Sequence, residues 1–205
     1  MMNIVCCDLE GVFTPEIWIN VAERTGIPEL RITTRDEPDY DKLMKYRINI
    51  LKKKGLKLKD ITDVISTLNP LPGAKEFLLW MRRLTQVIIV SDTFIQFGMP
   101  LMEKLDFPTL LCHSLVINDD GAITGYNLRT TDPKRKTVSA LKSLNYRVIA
   151  MGDSYNDTSM LLEADAGILF RPPENVIRDF PQFRVTTEYN QLKDIISEEL
   201  NNNNL

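Results

Sequence analysis

Five short apolar runs rich in β-branched residues punctuate the chain, at residues 4–7, 87–90, 109–112, 148–151 and 167–170. They are continuous rather than alternating, the pattern of strands buried on both faces. Helical patterns lie between most of them, as at 75–83 and 134–144, the latter opened by Asp132 and Pro133 in cap and first-turn positions. Strands alternating with helices predict an α/β fold with a Rossmann-like parallel sheet. Adjacent Cys6 and Cys7 on such a strand point to opposite faces, and with Cys112 they make no paired framework, so reduced core thiols are expected.

Residues 14–71 break the rhythm, holding three helix-like segments and no convincing strand. An inserted helical cap is expected there, with residues 1–13 and 72–205 forming the catalytic core. Its first helix should start with Thr14 as N-cap and Pro15 in the first turn, and stop at Gly26. The second places Leu43, Met44, Ile48 and Leu51 on one face and ends at Gly55; the third carries Ile61, Val64, Ile65 and Leu68. Residues 115–128 read as a β-hairpin turning at Asp119, Asp120 and Gly121. The asparagine run 201–204 leads to an expected disordered tail over 201–205.

Composition narrows the function. The chain has 205 residues, 43% hydrophobic and 26% charged, values of a folded globular protein. A net charge of -3 supplies no basic field to gather a polyanion, so nucleic acid is not an expected partner. No apolar run approaches the ~18 residues of a membrane span. Asp8 and Glu10 interrupt the N-terminus where a signal peptide stays apolar, so a cytoplasmic protein without membrane contact is expected, a monomer or homodimer. His113 is the single histidine, and no Gly-x-Ser-x-Gly elbow occurs, which disfavours a Ser-His-Asp triad. An enzyme built on this chain runs on carboxylates.

Four polar elements stand at predicted strand ends or helix starts: Asp8 with Glu10, Ser91 with Asp92, Lys134, and Asp153 with Asn156 and Asp157. That edge of an open α/β sheet is where ligands bind. On extended backbone Asp8 and Glu10 face the same side, and Gly11 frees the chain to turn. Together with Asp153 they make three acids without a histidine, which repel one another unless a hard divalent cation sits among them; magnesium is the natural candidate. Flanked by Lys134, the Ser91 hydroxyl and amides near Gly11 and Asp92, such a site suits a phosphoryl group. Asp8 can then attack phosphorus while Glu10 shuttles the proton.

The runs Asp8-Leu9-Glu10-Gly11-Val12, Val90-Ser91-Asp92-Thr93-Phe94, Lys134 and Gly152-Asp153-Ser154-Tyr155-Asn156-Asp157 resemble, in order, the four motifs of the haloacid-dehalogenase-like phosphatases. Within that family the chain looks like the phosphoserine phosphatases, most of all the subgroup that also transfers the phosphoryl group to homoserine. The resemblance covers residues 3–195. It implies a HAD-type core, Mg2+ as cofactor, and phosphoserine with water or homoserine as small-molecule substrates. It further implies Asp8 as nucleophile and metal ligand, Glu10 as acid/base with its carbonyl on the metal, and Asp153 as the remaining protein ligand. Ser91, Asp92, Lys134 and Asn156 would form the phosphate side of the substrate site. Asp157 would support Lys134 or a metal-bound water, and Gly11 the turn. In the cap, Glu16 and Arg47 fall where the ammonium and carboxylate of phosphoserine are gripped, with Tyr40 on the nearby wall; Glu23 and Arg24 compete for those roles.

Two positions depart from the family pattern. Glu10 replaces the usual aspartate, and a displacement of ~1 Å can cost ~10²-fold, so the neighbouring backbone must compensate. Asp92-Thr93 stands where many relatives have small glycines, narrowing the pocket. A phosphatase for another small phosphomonoester, or a receiver-like phosphoacceptor module, are the alternatives. His113 is expected to make a structural hydrogen bond, the basic run 52–54 to serve a helix C-terminus, and Trp18, Trp80, Met99 and Met102 to pack.

Overall fold

The structure, a computed structural model, describes residues 1–34, 36–37 and 39–202. Its centre is a seven-stranded sheet of order β4-β3-β2-β1-β5-β6-β7, with β1 Met2–Cys7, β2 Gln86–Phe94, β3 Thr109–Ile117, β4 Ile123–Asn127, β5 Tyr146–Gly152, β6 Ala166–Phe170 and β7 Arg184–Thr186. Every neighbouring pair is parallel except β3 with β4. The five expected strands are present, each longer than its apolar run. Strand β3 continues unbroken through His113 and becomes the first arm of the hairpin. The three-residue β7 was not expected, being too short to carry a pattern of its own.

Cys6 and Cys7 do face opposite sides. Cys6 packs with Val138 of α6 (Pro133–Ser143), Met160 and Leu161 of α7 (Thr158–Glu163) and Val176 of α8 (Glu174–Asp179). Cys7 packs in the larger core with Phe77 and Met81 of α4 (Ala74–Leu84), Phe97 of α5 (Ile95–Lys104) and Leu192 of α9 (Tyr189–Asn201). Burial pushes both thiols above their ordinary range, Cys6 to about 12, which keeps them inert.

Between β1 and α4 come α1 (Ile17–Thr25), α2 (Tyr40–Lys54) and α3 (Leu58–Thr67), ending beside Gly26, Gly55 and Leu68. Leu43, Met44, Ile50 and Leu51 of α2 and Ile61 and Ile65 of α3 are buried, and all but Leu43 join the same core as Cys7. The expected start of the first helix is displaced. Thr14 is no cap: its N–H and hydroxyl both go to the Leu9 carbonyl, closing a bridge between Glu10 and Thr14, and α1 begins at Ile17. Met99 is 44% exposed rather than packed. Helix α9 runs through Asn201, so the expected tail is structured at its first residue, and residues 203–205 lie outside the described residues. Among the described residues no helix is long and apolar enough to cross a membrane.

Candidate active site

The chain leaves β1 to one side for β2 and returns to its other side at β5, so the strand order reverses at β1. The crevice above such a switch point is where open α/β sheets bind ligands. Asp8 follows β1 directly and still donates its N–H to the Met151 carbonyl at 3.0 Å. Ser91 and Asp92 belong to the last part of β2, Asp153 follows β5, and Lys134 sits in the first turn of α6. These core residues line one small cavity of about 90 Å³ with Glu10 and Asn156. Glu16, Tyr40 and Arg47 line it from the inserted segment. Gly11 and Asp157 pack beneath it. The competitors lie elsewhere: Glu23 pairs with Arg31 at 2.7 Å on the surface, and Arg24 is exposed in the last turn of α1.

Lys134 is buried at 2% exposure, its ammonium 2.6 Å from Asp157 Oδ1 and 2.8 Å from Asp8 Oδ1. Asp157 uses its other oxygen to accept the N–H groups of Asp153 and Ser154, both at 3.0 Å. It therefore ties the lysine to the loop after β5. Asp8, Asp153 and Asp157 each place a carboxylate oxygen within 4.8 Å of the others, and Lys134 touches two of the three. Burial and then Asp157 push the Asp8 carboxyl well above its ordinary range, against the pull of Lys134. Burial by itself would depress the Lys134 ammonium, yet Asp157, Asp8 and Asp92 outweigh it and hold it well above. The rise of Lys134, and the part of the Asp8 rise owed to Asp157 and Asp153, express an excess of negative charge. A set made only of carboxylate oxygens with that excess fits a hard divalent cation.

Two glycines let the acids come this close. Gly11 has φ +78, and a Cβ there would lie 2.5 Å from Asp153 Cγ. A Cβ on Gly152 would lie 2.3 Å from Asp157 Cγ. Gly152→Ala is therefore expected to lower stability by ~1–3 kcal/mol, as overpacking does. At this chain length that is a melting temperature roughly 2–12 °C lower, read by thermal unfolding; an unchanged value would contradict the close packing.

Glu10 spends one carboxylate oxygen on the backbone. Its Oε2 accepts the Ile17 N–H at 2.7 Å, so this carboxylate caps α1 in place of Glu16, whose side chain makes no cap bond. Burial first, and Glu16 next, push the Glu10 carboxyl up to about 8, although the Ile17 hydrogen bond, Arg47 and Lys134 pull it down. It can hold a proton near neutral pH.

Arg47 is buried, with Nη2 donating to the Ile32 carbonyl at 2.7 Å and the guanidinium 4.5 Å from the Trp18 ring centre. Its Nε is buried with no partner among the described residues. Burial lowers its pKa to about 10, opposed by Tyr40, Glu10 and Glu16. A buried guanidinium with an unused donor is costly unless an anion joins it. His113 makes the structural hydrogen bond expected of it, its Nδ1 accepting the Arg129 N–H at 3.1 Å, and its Nε2 also lies 3.6 Å from Asp92 Oδ1, a proximity the sequence does not show. Only the strand register, which sets Phe94 beside His113, brings it there.

The comparisons agree with this geometry. The family described as haloacid dehalogenase-like hydrolase matches residues 32–162. The chain is 62% identical over 192 residues to "Phosphoserine phosphatase ThrH" of Pseudomonas aeruginosa, covering 94% of each chain. It is 60% identical over 192 residues to "Phosphoserine phosphatase" of Pseudomonas syringae pv. tomato, covering 94% of this chain and 81% of that one. A solved structure described as a phospho-aspartyl intermediate analogue of phosphoserine phosphatase superposes with a TM-score of 0.75 at 18% identity, covering 96% and 98% of the two chains, which shows a shared fold. A seven-stranded sheet, an acid cluster at its switch point and relatives over nearly the whole length lead to one placement: the chain belongs to the haloacid dehalogenase-like hydrolases, within the phosphoserine phosphatases.

Proposed function

We propose that this enzyme takes the phosphoryl group from O-phospho-L-serine onto Asp8 and passes it to water or to homoserine. The observation that carries the reading is the Asp8–Lys134–Asp157 contact beside Asp153 at one sheet edge, with Asp8, Lys134 and Asp153 lining one cavity with Arg47. Asp8 Oδ attacks phosphorus as the serine oxygen leaves. Glu10, protonated at the start, gives its proton to that oxygen and later takes one from the incoming acceptor. Lys134 and the Ser91 hydroxyl hold the phosphoryl oxygens, aided by Asn156. Residues 14–71 act as the cap, where Arg47 receives the substrate carboxylate and Glu16 its ammonium, while Tyr40 anchors the wall through its hydroxyl on the Asp92 carbonyl at 2.8 Å.

Asp8 and Asp153 would hold Mg2+, with the Glu10 carbonyl as a further ligand and Asp157 supporting Lys134. When bound, the ion supplies charge neutralisation for the phosphoryl oxygens. Because the acids exceed their cation, Mg2+ at ~100 times its Kd should stabilise the fold by about 2.7 kcal/mol. That corresponds to a rise of roughly 5–10 °C in melting temperature, abolished by EDTA. A melting temperature indifferent to Mg2+ would contradict the assignment.

Substrate choice is tested at Arg47. Truncating one partner of a buried charged pair costs ~2–5 kcal/mol, so Arg47→Ala should lower kcat/KM for phosphoserine on the order of 10²-fold or more. The loss on p-nitrophenyl phosphate, which has no amino-acid head group, should be far smaller. Equal losses on both esters would favour a phosphatase for some other small phosphomonoester.

A further inference from the structure

The small cavity holding Asp8, Glu10, Glu16 and Arg47 opens onto a second one of about 680 Å³. Thr34, Tyr40, Asp92, Lys134, Ser154 and Asn156 line both, whereas Glu16 and Arg47 line only the first. An amino-acid head group held by Glu16 and Arg47 therefore leaves the larger space free. Chemistry gives that space a use. The hydroxyl attacking a phosphorylated Asp8 must enter where the serine oxygen left, but the rest of the acceptor can extend along either cavity. Water needs no such room.

We propose that the larger cavity seats the acceptor of the second half-reaction, an amino alcohol whose ammonium is received by the Asp92 carboxylate, with His113 as the positioning residue. This rests on the transfer reading above.

Asp92 is more exposed than the two acids that grip Lys134, and it lines both cavities. Its side chain is 28% exposed, against 7% for Asp8 and 0% for Asp157. Lys134 Nζ lies 3.9 Å from it and has two nearer carboxylates. His113 Nε2, at 3.6 Å, is beyond good hydrogen-bond distance. Burial alone would raise the Asp92 carboxyl, but Lys134, His113 and Asn156 together hold it below its ordinary range, so it presents a negative charge.

That charge is also fixed in place. The Tyr40 hydroxyl holds the Asp92 carbonyl, and the His113 ring packs against Tyr40 and Phe94. The Arg129 N–H donates to His113 Nδ1 at 3.1 Å, leaving the Nε2 proton to face Asp92. Near the same cavity the Lys136 ammonium donates to the hydroxyls of Thr130 and Thr131, at 2.9 and 2.8 Å, a positive end for the acceptor's carboxylate. A zwitterion finds both complements.

In the transfer itself the bond from phosphorus to the Asp8 oxygen breaks and a bond to the acceptor oxygen forms. The acceptor's hydroxyl proton goes to Glu10, which gave one up in the first half-reaction. No other reactant is required.

The test supplies phosphoserine as donor, with either homoserine or 4-hydroxybutanoate, which keeps the hydroxyl and carboxylate but lacks the ammonium. The readout is the ratio of phosphorylated acceptor to inorganic phosphate. Both products arise from one phosphoenzyme, so damage to the first half-reaction cancels from the ratio. The wild-type enzyme should favour homoserine by about 10-fold or more, and Asp92→Asn should reduce that preference at least as much, chiefly through the acceptor's KM. His113→Leu should raise the homoserine KM several-fold, and His113→Gln, which can still donate to Asp92, should restore most of it. A wild-type enzyme that treats both acceptors alike, or an Asp92→Asn variant that keeps the preference, overturns the proposal while phosphoserine hydrolysis stands. Absence of phosphate release from phosphoserine would sink the phosphatase reading and this one together.

Discussion

Asp8→Asn is expected to lower kcat for phosphoserine by at least about 10⁴-fold, the scale seen when a nucleophile acting as part of a unit is removed. The amide is nearly isosteric, so the substitution changes chemistry more than shape. Asn cannot form the acyl phosphate, and the adjacent Asp157 is locked to Lys134 and two backbone N–H groups. The fold should persist, because Lys134 retains Asp157 at 2.6 Å and the buried acids become one fewer. Phosphate release together with a melting curve checks both parts. Residual turnover within about 10-fold of the wild-type rate would remove Asp8 from the role proposed for it.

Lys134→Ala should cost on the order of 10² to 10³ in kcat, the usual effect of deleting one charge-stabilising donor at a reacting centre. Here the variant carries a second penalty. Asp8 and Asp157 both lose the cation that separates them, where Asp157 is fully buried and Asp8 nearly so, and stripping one partner from a buried ion pair costs ~3–5 kcal/mol. The loss should be largest in EDTA and partly recovered in Mg2+, since the ion restores positive charge to the same cluster. A variant with normal stability in EDTA would mean that the three acids are not the electrostatic burden described. Normal kcat would mean that Lys134 only holds Asp157.

Much of the site was legible because each of its core residues follows a local signal. Asp8, Ser91 and Asp153 sit at the end of apolar runs, and Lys134 follows a Pro in the first turn of a helix. Parallel pairing then forces those ends to one edge. The residues that sequence reading misplaced depend on long-range partners. Thr14 has the composition of a cap, but the tight turn after Leu9 uses its N–H and hydroxyl, and Glu10 caps the helix from seven residues away. His113 reaches Asp92 only through the pairing of β3 with β2. The unused Nε of Arg47 is likewise a property of packing, invisible in the α2 sequence itself. Glu16 immediately precedes α1 and Arg47 lies on α2, yet they line one cavity, because α1 and α2 bury their apolar faces in the same core.

A rapid-quench reaction with phosphoserine carrying radioactive phosphate tests the central claim directly. Acid-stable, hydroxylamine-labile label should appear in the protein within the first turnover, map to Asp8, and be absent from Asp8→Asn. Full turnover with no protein-bound label, or label on any other residue, would contradict the account.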